Sequence, residues 1–184
     1  MNSTVQLDTQ RLILRQWIPS DYTVFAQLNA SPRVMRYMPA RLSETDSNAL
    51  ADRCATFISQ RGWGLWAVEL KNSKQFIGFT GLAIPSATLP CSPCTEIGWR
   101  LAYQHWGLGY ATEAAERALE YAFTELRLDK IVSFTSVQNE PSRSVMRKLG
   151  LKNAHKNFPH PSVAAQSPLR EHVLYTITQE KWLK

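Results

Sequence analysis

Gly107 and Gly109 lie in the stretch Gln104-His105-Trp106-Gly107-Leu108-Gly109, between a strand pattern and a helix pattern. Ahead of them Ile97, Trp99 and Leu101 alternate with Gly98 and Arg100, the period of a strand. Behind them apolar residues recur at 111, 114, 115, 118, 119, 122, 123 and 126, a 3.6-residue stripe. A strand, a glycine turn and a helix N-terminus in that order build an anion cradle. The first helical N–H groups lack intrahelical partners, and the helix dipole is positive there. Glycine lets the backbone come close to a ligand where a Cβ would clash. The chemistry so implied is the binding of a phosphate-bearing ligand whose identity these residues leave open.

Two other glycine motifs do not fit. A phosphate loop of the Walker type ends in Gly-Lys-Ser/Thr, and this turn ends Gly109-Tyr110-Ala111-Thr112. A dinucleotide fingerprint needs a third glycine where Thr112 stands, and the acidic residue at the right distance, Asp129, precedes the next strand instead of ending it.

The pattern Gln-x-x-Gly-x-Gly after a strand closely resembles motif A of the GNAT superfamily of acetyl-CoA-dependent N-acetyltransferases. The ordered set EIGWRL, YQHWGLGYATEA and NEPSRSVMRKLGL is similar to the RimJ/RimL-type branch, which includes ribosomal-protein N-terminal acetyltransferases. The likeness runs from about Thr9 to Trp182. It implies the GNAT fold: an α/β (α+β) domain spanning 1–184, with a mixed, mostly antiparallel sheet of about seven strands flanked by helices. Strands four and five of that sheet form a parallel, splayed pair, and the acyl thioester lies in the opening between them.

Acetyl transfer to an amine needs a held thioester, a neutral amine, a stabilised oxyanion and a proton for the leaving thiolate. On the resemblance, Glu96 is the base, with Ile97, Gly98 and Trp99 of the fourth strand along the pantetheine. Gln104, His105, Trp106, Gly107, Leu108 and Gly109 hold the pyrophosphate, running into Tyr110, Ala111 and Thr112. Asn139 and Ser142 match the Asn-x-x-Ser element that contacts the pantetheine arm. Many GNAT enzymes place a Tyr seven residues after this Asn as general acid, and here that residue is Met146, also on the cofactor side. A thioether cannot donate the proton, so the role passes to Ser142, as in the RimL-like branch, or to solvent. His160, His172 and Tyr175 stand beside the late strands that close the acceptor pocket, and Arg33, Arg36 and Tyr37 follow the first helix near the acceptor. Glu113 and Glu116 fall in the first helical turns, where negative charge complements the dipole.

A chain of 184 residues, 44% hydrophobic and 20% charged, has the composition of a single soluble domain. No apolar run approaches the length of a membrane span, and the start lacks the basic and apolar regions of a signal peptide, so the expected compartment is the cytoplasm. Three cysteines leave at least one thiol unpaired, and Cys91-Ser92-Pro93-Cys94 has no second pair to complete a zinc site. The net charge of +6 suits a polyanion such as coenzyme A and also favours ribosome association, but no run of five basic residues marks a dedicated nucleic-acid module.

These residues must be positioned by an ordered series of elements. Arg11–Arg15 reads as a first strand, followed by a short helix from Pro19-Ser20-Asp21 with Val24, Phe25 and Leu28 inward. Ser31–Met38 reads as another turn of helix. Ser43 and Asp46 resemble a capping box opening a helix with Leu50, Cys54, Phe57 and Ile58 inward. Strands follow at Leu65–Leu70, Phe76–Leu82 and Thr95–Leu101. A fifth strand at Lys130–Val137 is entered through the crossover helix, hence parallel to its predecessor. Asn139 caps the next helix, with Val145, Met146 and Leu149 inward. Leu151–Phe158 and Leu169–Thr178 then complete the sheet around a loop.

The acceptor, a protein N-terminus or a small-molecule amine, is not chosen by the sequence, because specificity lies in the least patterned segments, 20–60 and 155–172. A second class, a non-catalytic acyl-CoA-binding protein, keeps the cradle without turnover. A monomer and a homodimer are equally compatible with the chain.

Overall fold

The alternating and helical periods of the chain are realised in a computed structural model that describes residues 4–184. Two short strands open it, β1 (Leu7–Asp8) and β2 (Leu12–Arg15), paired antiparallel. β1 is too short to show a period and was not expected from the sequence. Helix α1 (Asp21–Ala30) starts without a side-chain cap from Ser20. Instead the buried Asp21 carboxylate accepts the Ile18 amide at 3.0 Å and both Nη groups of Arg15 at 2.8 and 2.9 Å. Arg15 Nε donates to Glu69 at 2.7 Å, closing a network under the first strand. Asp21→Ala strands a largely buried guanidinium with Glu69 as its one remaining carboxylate and the Gln16 carbonyl as a neutral acceptor, so urea denaturation should show a loss of about 3 kcal/mol.

Ser31–Met38 forms turns, not the expected helix. Prolines at 32 and 39 bracket a stretch too short to propagate a helix, and only Met35 N–H reaches back four residues, to Ser31. Helix α2 (Glu44–Arg61) begins as the sequence implies. The Ser43 hydroxyl accepts the Asp46 amide at 3.1 Å and donates to the Asp46 carboxylate at 2.6 Å. Its buried stripe is Ser47, Ala51, Cys54 and Ile58, which rolls the expected Phe57 out to 44% exposure and puts Leu50 on the flank.

β3 (Leu65–Leu70), β4 (Phe76–Ala83) and β5 (Glu96–Leu101) form an antiparallel meander, with β3 also paired to β2. Helix α3 (Tyr110–Thr124) crosses the sheet and buries Ala114, Ala115, Ala118, Leu119, Ala122 and Phe123. Its four buried alanines let the backbone lie close to β4 and β5. β6 (Lys130–Ser136) then enters parallel to β5, so the pair expected as strands four and five is β5 and β6 here. Helix α4 (Glu140–Lys148) follows, capped by Asn139.

The last part of the sheet departs from the reading of Leu151–Phe158 as one strand. Two fragments, β7 (Lys152–Asn153) and β8 (Phe158–Pro159), pair with opposite ends of β9 (Glu171–Thr178). Asn153 Oδ1 accepts the His155 amide at 2.8 Å and His155 takes a φ of +52°, a local turn that breaks the strand. A short helix α5 (Gln179–Trp182) ends the described chain. The sheet order is β1-β2-β3-β4-β5-β6-β9-β7, with β8 on β9. Helices cover both sides of it, as the mixed α/β architecture requires. Among the described residues no helix is long and apolar enough to cross a membrane.

Candidate active site

β5 and β6 pair at a single register point, Glu96 opposite Val132, where the Val132 amide donates to the Thr95 carbonyl at 3.0 Å. One residue further along, the Ser133 hydroxyl donates to the Ile97 carbonyl at 2.9 Å in place of a backbone bond. The strands diverge from there, and a cleft of about 620 Å³ occupies the opening. Its walls come from β5, the N-termini of α3 and α4, the turns after α1, and the His160 and His172 region.

The cradle forms where the sequence places it. Gly109 is the N-terminal cap of α3 with φ +84°, and Gly107 has φ +75°. Glu113 N–H to the Gly109 carbonyl, at 3.0 Å, is the first helical bond, leaving the Tyr110, Ala111 and Thr112 amides without intrahelical acceptors. A Cβ added at Gly107 meets no atom within 4 Å, so the space against the loop is open to a ligand. Free amides, a positive dipole end and open glycine backbone fit a pyrophosphate.

Arg11 ties this loop to the start of β2, a role that sequence reasoning missed. Its Nε donates to Glu113 at 2.6 Å, its Nη1 to the Leu108 carbonyl at 3.0 Å, and its guanidinium lies 4.5 Å from the Tyr110 ring centre. The Thr9 hydroxyl and Arg11 amide also donate to Glu113. Burial alone would raise the Glu113 carboxyl, but these bonds outweigh it and hold the group below its usual range. Glu113 therefore anchors the loop as well as facing the dipole.

Glu96 projects into the cleft with no hydrogen-bond partner among the described residues. Its surface is partly open to the cleft, while surrounding protein pushes its carboxyl up to about 8. Its Oε1 is the only atom within 4 Å of where a Gly98 Cβ would sit, so the glycine leaves room beside the carboxyl. Asn139 is almost fully buried. Its Oδ1 accepts the Ser142 amide at 3.3 Å and its Nδ2 donates to Thr135 at 2.8 Å. The Ser142 hydroxyl lines the cleft and makes no side-chain hydrogen bond among the described residues.

Of the other residues expected on the cofactor, Gly98, Trp99, His105, Trp106, Gly107, Gly109, Tyr110, Ala111 and Thr112 line the cleft. The Ile97 side chain is buried on the far face of β5, and Gln104 and Leu108 point to solvent. Met146 is 1% exposed in the core and offers the cleft no surface. Tyr37 lines the cleft, whereas Arg33 and Arg36 are exposed and lie over the rings of Tyr103 and Tyr37.

His160 and His172 both reach the cleft, with ring centres 4.8 Å apart. Burial pushes both below the ordinary histidine range. His172 Nδ1 lies 3.0 Å from the Arg170 carbonyl, which can only accept, so its Nε2 carries the free lone pair. Tyr175 is buried on the opposite face of β9, because strand parity separates 172 from 175. It lies in the late strand as expected, but its side chain does not face the cleft.

The cysteines lie apart from this chemistry. Cys91 and Cys94 sulfurs are 3.0 Å apart beside the cluster of Leu89, Val132, Phe158 and Leu174. Burial and the Cys91 hydrogen bond push the Cys94 thiol up to about 12, and burial pushes Cys54 up to about 11. Protonated thiols are poor nucleophiles. No group of three or more metal-ligating side chains occurs among the described residues. Cys54→Ala combined with Cys91→Ser and Cys94→Ser should retain the turnover of the parent protein. A mass shift showing an acetyl-cysteine that passes its acyl group to an amine would establish a ping-pong route instead.

A sheet split at a parallel pair, with an anion cradle at the end of one of the two strands, defines an acyltransferase of the GNAT type. Residues 11–152 match the family described as acetyltransferase (GNAT) domain, and the chain belongs to this family of acetyl-CoA-dependent acyltransferases. It is 31% identical over 167 residues to the FsC-acetyl coenzyme A-N(2)-transacetylase of Aspergillus fumigatus, covering 86% of this chain and 69% of that protein. A GNAT-family acetyltransferase structure from Bacillus anthracis superposes with a TM-score of 0.78 at 22% identity, over 96% of this chain and 99% of that one. Mycobacterium smegmatis RimJ in complex with CoA-disulfide gives 0.77 at 20% identity, over 98% and 90%.

Proposed function

We propose that the protein transfers an acetyl group from acetyl-CoA to a primary amine by direct attack within a ternary complex. The observation that carries this reading is the unpartnered Glu96 carboxyl beside Gly98 at the mouth of the β5–β6 opening. Acetyl-CoA supplies the activated thioester. The α3 amides, with Gly107 and Gly109, hold its pyrophosphate, and the Asn139–Ser142 turn lies along its arm. Glu96 takes the proton of the attacking amine, and the Ser142 hydroxyl gives a proton to the departing thiolate.

Burial lifts the Glu96 carboxyl to about 8, so once ionised at mildly alkaline pH it can take a proton from an amine. The acceptor class is a protein N-terminal α-amine or a small-molecule primary amine. The relative from Aspergillus fumigatus, by its name, likewise acts from acetyl coenzyme A at an N(2) position. Thiol release from acetyl-CoA across N-terminal peptides and small amines near pH 8 tests the reading. Amine-dependent release is expected with at least one acceptor class. Coenzyme A binding with no turnover on any amine would instead support an acyl-CoA-binding protein.

A further inference from the structure

Arg100 is a charged group that the transfer chemistry leaves unused. It shares the cleft face of β5 with Glu96 and Gly98 by strand parity and lines the same cleft. A guanidinium has five N–H donors. One of them, on Nη1, meets Asn29 Oδ1 at 2.7 Å, and Nη2 meets only the weak Met38 sulfur at 3.5 Å. Nε is buried without a partner among the described residues. No carboxylate makes an ion pair with it among the described residues, and its nearest π surface is Phe79, 5.4 Å from the ring centre. Burial draws its proton affinity down to about 10.

An unpaired cation held in a half-apolar pocket is costly to a fold unless an anion completes it. Among the residues lining the cleft Glu96 is the only acid, while Arg100 and Lys148 carry positive charge. The cleft is thus poorly made for a polycationic acceptor. We propose that Arg100 is a specificity residue that binds a carboxylate borne by the acceptor amine. This inference rests on the amine-acetyltransferase reading. Four strand steps take Glu96 to Arg100, on the order of 13 Å between Cα atoms. The Glu96 carboxyl reaches over Gly98, whereas the Arg100 guanidinium is held at Asn29 and Met38, so the amine and the carboxylate of the acceptor are several bonds apart. The chemistry fits an ω-amino acid or a protein N-terminus with an acidic side chain close behind it.

The test compares matched acceptors: 6-aminohexanoate against hexylamine and spermidine, and Ala-Glu against Ala-Gln peptide amides. The carboxylate-bearing member of the productive pair should have a kcat/KM roughly 10–100-fold higher, the range of a charge-assisted hydrogen bond. Arg100→Gln should bring that ratio close to one, mainly through KM. Asn29→Asp gives the guanidinium a partner from behind without altering Arg100, and should also collapse the ratio, so the proposal stays testable if Arg100→Gln folds poorly. The pair that responds identifies the source of the carboxylate. Calorimetric titration of 6-aminohexanoate and of the Ala-Glu peptide amide, with coenzyme A present, adds a readout independent of turnover. If no amine is acetylated but binding of either still depends on Arg100, the transfer reading fails and the anion site stands. A wild-type ratio near one, a ratio unchanged in both variants, or a loss of coenzyme A affinity in Arg100→Gln overturns the proposal.

Discussion

Glu96→Gln is expected to lower kcat by roughly 10²–10⁴-fold, the range for removal of a general base, while coenzyme A affinity stays as it is. In the parent enzyme kcat should rise with pH and level off above about 8, where the carboxyl is ionised. The glutamine variant should lack that limb. Stability supplies an independent check. The native Glu96 carboxyl binds its proton up to about 8, whereas in the unfolded chain it releases it near its ordinary value of 4.5. Between those pH values the folded state holds more protons, so stability falls as pH rises through the window. The contribution is intact below about 4.5 and lost above about 8. Glu96→Gln has no such slope, and its urea midpoint should exceed that of the parent at pH 9, with the gap closing toward pH 5. Ser142→Ala makes the contrasting case. It should slow thioesters with poor thiol leaving groups most and spare those with acidic thiols. Equal slowing of all thioesters would leave Ser142 a binding residue.

Gly107→Val should abolish most of the thermal stabilisation that coenzyme A confers. A ligand present at 100 times its Kd and bound only to the native state stabilises it by about 2.7 kcal/mol, which a melting curve resolves readily. Two effects converge at this position. Its φ of +75° is unfavourable for a β-branched residue. A Cβ there touches no protein atom, so the new side chain projects into the space a pyrophosphate would take. The variant should still fold, because nothing in the core is displaced. Normal stabilisation of Gly107→Val by coenzyme A would show that the phosphates bind elsewhere.

The central block was legible because it is contiguous. Strand parity over Glu96–Leu101, the two glycines and the stripe of α3 are adjacent signals that describe one unit. The Ser43–Asp46 cap and the parallel entry of β6 are also local consequences, one of side-chain chemistry and one of the crossover helix. What escaped depends on distance or on absence. The Arg11–Glu113 tie joins residues about a hundred positions apart, and no local period records it. The isolation of Arg100 is a lack of nearby carboxylates, visible only once α1 and β4 are packed against β5. The break at Asn153–His155 depends on one side-chain bond that overrides strand propensity. For Tyr175 and His172, parity along β9 was available from the sequence and would have set them on opposite faces. The roll of α2 that exposes Phe57 needed the partner surface, since its apolar residues permit two neighbouring stripes.

Direct transfer from thioester to amine is tested most directly by mass balance in one reaction, followed by mass spectrometry with acetyl-CoA and the best acceptor. The account predicts one acetylated amine for each free thiol released, unmodified protein throughout, and negligible thiol release when the amine is omitted. Thiol release without acetylated amine, or an acetyl group lodged on the protein and consumed by added amine, would contradict it.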